Sequence, residues 1–127
     1  MVKPLTPHQK AERDLTRFGL TLPETEPALF IPPMRQLKVR NKTFCIFGAK
    51  AEPLDALSIT LKLPISAEMV QGLPFVRESR GWYKQHNWVH AHFSADDDIL
   101  GETETLKGWL LQSYRAMAPK KLAKLVP

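Results

Sequence analysis

The run QLKVRNKTFCIF, Gln36 to Phe47, reads as two strands joined by a tight turn, and a hairpin here commits the chain to an antiparallel sheet. With Asn41-Lys42 as the two-residue loop, Val39 opposes Phe44 and Leu37 opposes Ile46, so the hairpin has one apolar face. Directly paired residues share a face, which sends Gln36, Lys38, Arg40, Thr43, Cys45 and Phe47 to the other. Two further runs keep the alternation. In LSITLKLP, Leu57 to Pro64, the residues Leu57, Ile59, Leu61 and Leu63 point inward and Ser58, Thr60 and Lys62 outward. In HNWVHAHF, His86 to Phe93, the inward set is Val89, Ala91 and Phe93, which leaves His86, Trp88, His90 and His92 on the outward face.

Helical spacing brackets these strands. Thr6 and Pro7 suit an N-cap and first helical position, Gln9 completes a capping box, and Ala11, Leu15, Phe18 and Leu22 form an apolar stripe that ends at Gly19 or Pro23. The segment PETEPALFIPPMR, Pro23 to Arg35, carries four prolines; it excludes regular helix and a central strand and reads as an extended linker. Ser66 caps a short helix over AEMVQGL, a short strand lies near Phe75 to Glu78, and the chain turns at Gly81. A long helix over ETLKGWLLQSYRAMA buries Leu106, Trp109, Leu110 and Met117 and is interrupted at Pro119. The expected order is α-β(3)-α-β(2)-α: a two-layer α+β domain over residues 1–127, with an antiparallel sheet, helices on one face, and less order at 1–5 and 119–127.

An apolar fraction of 43% with 24% charged residues suits a folded chain of 127 residues and argues against disorder. No apolar run approaches the roughly 18 residues of a spanning helix, and the start lacks a signal-peptide core, so a cytoplasmic protein is expected. The single cysteine, Cys45, agrees with a reducing compartment. A net charge of +5 permits polyanion binding, and its distribution is informative. Arg35, Lys38, Arg40, Lys42 and Lys50 fall in a stretch without acids, as do Lys120, Lys121 and Lys124, while the acids concentrate between Asp96 and Glu104.

There is no glycine-rich phosphate loop, no Gly-x-Ser-x-Gly and no paired carboxylates, so no catalytic residue, cofactor or small-molecule substrate is expected and the chain reads as a non-enzyme. His90 and His92 are the weak candidates for metal ligation: they are about 7 Å apart along a strand and need Cys45 to close a site, and no Cys-x-x-Cys or His-Glu-x-x-His accompanies them. Nucleic-acid binding requires cations for phosphate and flat groups for bases. Lys38, Arg40, Lys42 and Lys62 supply the first, Trp88 and Phe47 the second, and Arg80 and Lys84 extend the positive field; the alternative is a solvated sheet face with Trp88 covered by the Trp82–Tyr83 loop. The same exposed face would equally serve a dimeric or chaperone-like protein-interaction module.

The runs LKVRNKTFCIF, LSITLKLP, WVHAHF and LLQSYRAMAPKKL, in this order and spacing, resemble the MmcQ/YjbR family of small bacterial proteins described as DNA-binding. The resemblance spans most of the chain. It implies a fold similar to secretion chaperones, α-β(3)-α-β(2)-α, and DNA binding through a double-wing arrangement of β-hairpins; it carries no catalytic motif. The chain departs from the family pattern at His86-Asn87, where glycine is usual, and His90 and His92 are not family hallmarks.

Overall fold

The capping box forms as expected. The Thr6 hydroxyl accepts from the Gln9 backbone N–H at 3.1 Å, the Gln9 side chain accepts from the Thr6 N–H at 2.9 Å, and helix α1 runs Pro7–Leu20 behind them. The computed structural model describes residues 4–29 and 33–126. After α1 come strands β1 (Thr25–Leu29), β2 (Arg35–Val39), β3 (Lys42–Phe47) and β4 (Leu57–Lys62), a 3-10 turn at Met69–Gly72, strand β5 (Val76–Arg77), helix α2 (Gly81–Gln85), strand β6 (Trp88–Phe93), and helices α3 (Thr103–Met117) and α4 (Lys120–Ala123). The strands form one antiparallel sheet in the order β1-β2-β3-β4-β6-β5. Ala11 and Leu15 of α1, and Leu106, Trp109, Leu110 and Tyr114 of α3, share a single core with the inward residues of the strands. The chain is thus a two-layer α+β fold whose two long helices cover one face of the sheet.

Alternation was reliable where the outward residues are polar. In β4, Leu57, Ile59 and Leu61 are buried with Leu63, and Val89, Ala91 and Phe93 are buried in β6. In the hairpin it was not. Arg40 and Asn41 both take positive φ, 47° and 69°, and form the loop in place of Asn41-Lys42, so Val39 pairs with Lys42. Left-handed conformation at both positions gives a two-residue loop the twist of its strands. Leu37 then pairs with Cys45 and Lys38 with Thr43, which leaves Phe44 without a partner on β2 as a one-residue bulge. The extra residue inverts the facing of the rest of β3. Phe44, Cys45 and Phe47 are all buried in the core and Ile46 turns to the outward face, so the outward placement of Cys45 and Phe47 is corrected. The Phe44 ring meets Tyr114 of α3 edge-on at 5.6 Å.

The bulge also interrupts the ladder between β3 and β4. Their pairing stops at Cys45 and Leu61, and beyond it the buried Ser113 hydroxyl of α3 donates to the Phe44 carbonyl and accepts from the Lys62 N–H at 3.0 Å. One helix side chain therefore bridges two strands. At the other long helix, Gly19 lets α1 approach β2: a Cβ there would lie 2.6 Å from Leu37 Cδ1.

The segment 23–35 contains a strand rather than only a linker. Thr25 to Leu29 pair with Val39 to Arg35 as an edge of the sheet, the one position where Pro27 is tolerated. Phe30, Ile31 and Pro32 of that segment lie outside the described residues. Ser66 does not cap a helix; its hydroxyl accepts from Gln112 Nε2 at 2.9 Å and ties the segment to α3. Of the termini expected to be less ordered, 1–3 and 127 lie outside the described residues, and α4 buries Leu122. Among the described residues no helix is long and apolar enough to cross a membrane.

Candidate functional site

The face opposite α1 and α3 carries the residues that packing leaves over. Cross-strand pairing lines up Ala28, Gln36, Ile46, Thr60, His90 and Arg77 as one row across all six strands. Towards the hairpin tip lie Glu26, Lys38 and Thr43, and beside them the pair Lys62 and Trp88; towards the other end lies the pair Ser58 and His92. Lys38, Lys62 and Arg77 thus share one side of the sheet with His90 and His92. Arg77 was missed from the sequence as a site residue, and Tyr83 was read only as part of a cover for Trp88. Period two applied to Val76-Arg77 places Arg77 outward, but a two-residue strand offers almost no pattern to read.

The candidate cations differ in availability. Arg40 gives both its Nε and an Nη to the Glu24 carboxylate, at 2.8 and 3.0 Å. That bidentate hydrogen bond holds the Glu24 carboxyl below its usual range and the Arg40 guanidinium above its own. Lys38 Nζ donates to Asn41 Oδ1 at 2.8 Å across the hairpin loop. Lys42 and Lys84 are exposed, Lys62 is half-buried, and none of the three side chains hydrogen-bonds or ion-pairs with the described residues. Arg80 is exposed and lies 3.4 Å from the Glu78 carboxylate.

The aromatic component is rearranged. Trp88 points outward, as parity requires, yet is only 7% exposed, because Trp82 of α2 lies over it with ring centroids 6.3 Å apart. Trp88 is therefore corrected from a stacking residue to a covered one, and Phe47 is removed by its burial in the core. Trp82, 58% exposed, and Tyr83 are the exposed aromatics among the described residues. Tyr83 meets the His90 ring edge-on at 4.8 Å, and His86, outside the strand, packs against Trp82 at 4.7 Å.

The histidines are held from behind. Thr60 Oγ1 lies 3.0 Å from His90 Nδ1, and Ser58 Oγ lies 2.9 Å from His92 Nδ1. The Ser58 hydroxyl donates to Glu52 Oε2 at 2.5 Å, so toward His92 it can only accept; His92 therefore carries its proton on Nδ1. Glu52, whose side chain is 9% exposed, also accepts from the Ser58 N–H and lies 3.6 Å from His92 Nδ1. Nothing in the local sequence pattern marks Glu52, which arrives from the β3–β4 connection. Partial burial holds the His90 imidazole below its ordinary pKa.

Cys45 faces the core and cannot join the outward histidines; burial pushes its thiol well up. Among the described residues no three His, Cys, Asp or Glu side chains converge to hold a metal ion. No protein-family model and no curated protein matches the chain.

Proposed function

We propose that the chain is a non-enzymatic, cytoplasmic DNA-binding protein of the kind its sequence resembles, binding weakly and with little sequence preference through the outward sheet face. The observation that carries this reading is the gathering of Lys38, Lys62 and Arg77, with two imidazoles, on the side of the sheet the long helices leave open. Lys84 on α2 flanks that face and Arg80 extends the field, while Arg40 is restrained by Glu24 and Lys42 is turned to the helix side by its pairing with the buried Val39. Contacts of this type address phosphate, which positions a duplex without reading bases.

Four cations in contact with phosphate, Lys38, Lys62, Arg77 and Lys84, predict a log–log salt slope of about −3.6, equivalent to a loss of about 150-fold in affinity between 50 and 200 mM salt. Fluorescence anisotropy with short duplex and single-stranded DNA measures it. Lys38→Ala/Lys62→Ala should reduce the slope to about −1.8; no binding at low salt, or an unchanged slope in the variant, defeats the reading. The exposed Trp82 and Tyr83 favour a second reading, a protein-interaction surface that includes self-association. A concentration-dependent mass in sedimentation, abolished by Trp82→Ala and without salt-sensitive DNA binding, would select it.

A further inference from the structure

The two histidines line a hollow of about 540 Å³ on the outward face, together with Ile46, Tyr83, Arg77 and Lys50. Each imidazole is tethered through Nδ1 to a hydroxyl on β4, and neither Nε2 hydrogen-bonds with the described residues. Tethering fixes the rings and leaves one nitrogen of each to act on whatever enters. We propose that this hollow is a proton-dependent oxyanion subsite that takes one phosphate or sulfate group between His90, His92 and Arg77.

The charges facing the histidines set its pH dependence. Arg77 comes from β5 and Lys50 from the β3–β4 connection. Against them stand Glu52, whose oxygens are committed to Ser58, and Asp97, whose carboxylate accepts from the Ser94 N–H and hydroxyl at 2.7 and 3.0 Å. Thr60 and Ser58 of β4 and the Tyr83 phenol of α2 complete the surroundings. With both imidazoles neutral, two cations balance two carboxylates and the His92 Nε2 is a bare acceptor, which repels an oxyanion. Protonation turns Nε2 into a charged donor and adds up to two positive charges without moving any element. Burial of His90 delays that step, so the subsite fills on the acid side of neutrality.

The phosphate group has two sources, a nucleic-acid backbone or a small anion free in solution. The subsite lies on the face proposed to meet DNA but does not depend on that proposal. Sulfate is the probe for the free anion, because it stays divalent across the range; imidazole ¹H–¹⁵N spectra of the full chain follow it at about pH 5.5 and 7.5, on either side of the ordinary histidine pKa, at ionic strength held constant with chloride. Saturable shifts at Nε2 of His90 and His92 are expected, with sulfate binding about tenfold tighter at the lower pH, the factor for one pKa unit of linkage. Arg77→Gln should weaken binding at the lower pH about tenfold and Lys42→Ala should leave it unchanged; His90→Gln serves as a second variant if Arg77→Gln loses its fold. Shifts that grow linearly with sulfate, that chloride reproduces, or that ignore pH and both hollow variants overturn the proposal. A DNA titration separates the subsite from the DNA reading. Sulfate saturation without DNA binding leaves the subsite standing for a small anion, whereas DNA binding that moves neither imidazole, together with no sulfate saturation, removes the subsite and spares the DNA reading. DNA binding that shifts both imidazoles and is displaced by sulfate identifies the backbone as the source.

Discussion

Ser113→Ala tests the bridge between the strands. The hydroxyl is the hydrogen-bond partner of two backbone groups, the buried Phe44 carbonyl and the part-buried Lys62 N–H. Alanine would strand both, at roughly 1–3 kcal/mol each, while improving the helix by at most about 0.7 kcal/mol. The net destabilisation is about 1.5–5 kcal/mol. Urea unfolding monitored by tryptophan emission would show it as a lower midpoint with the slope retained. Amide hydrogen exchange at Lys62 supplies the local readout, because protection there should fall further than at Thr60 in mid-strand. A cost below about 0.5 kcal/mol, with Lys62 still protected, would mean that β3 and β4 close on each other directly, and the bridging role would be wrong.

Glu24→Gln releases Arg40 from its bidentate partner, so the salt slope for DNA should steepen by about 0.9, one further phosphate contact, while the fold is unaffected. Because burial lowers the His90 pKa, the unfolded ring takes up its proton first as pH falls. Stability from this group is complete above the unfolded pKa of about 6.5 and declines until the folded pKa is passed; in chloride buffer His90→Asn should flatten the urea midpoint between about pH 7 and 5. Gly48→Ala combines a φ of +96° with a Cβ 2.6 Å from the Arg35 guanidinium, which itself is engaged with Glu12; a loss of about 1–3 kcal/mol in thermal unfolding is expected. Gly81→Ala has φ +58° but open space around it, so only about 1 kcal/mol should go.

The α+β architecture and the inward residues of β4 and β6 were legible because Ser58, Thr60, Lys62, His90 and His92 alternate with apolar residues and so declare the face. Phe44-Cys45-Ile46-Phe47 holds four apolar residues in succession, and no polar residue reveals which parity is buried. A bulge in such a run is invisible, and it carried Cys45 and Phe47 to the wrong side of the expected sheet. For β1, the prolines that exclude a central strand do not exclude an edge, and which of these the chain builds depends on partners far along the sequence. The cationic face was legible in part, through Lys38 and Lys62. Cover of Trp88 by the Trp82–Tyr83 segment stood as an alternative to stacking, and the structure selects it; the link from Glu52 through Ser58 to His92 was not legible, since it joins a loop to a strand by contacts that leave no periodic trace.

Pro27 has a further consequence for how copies of the chain meet. The sheet ends on one side in the two residues of β5 and on the other in the five of β1, and β1 is the longer stretch of unpaired backbone. A second β1 laid antiparallel along it would find no N–H to bond at the proline, with Glu24 and Glu26 beside it as like charges. Growth of the sheet from molecule to molecule, the route to fibrils in concentrated protein, is disfavoured at this edge. Self-association through the face where Trp82 and Tyr83 lie would leave this edge unused, and the proline that hid the strand from the sequence keeps it the last of its sheet.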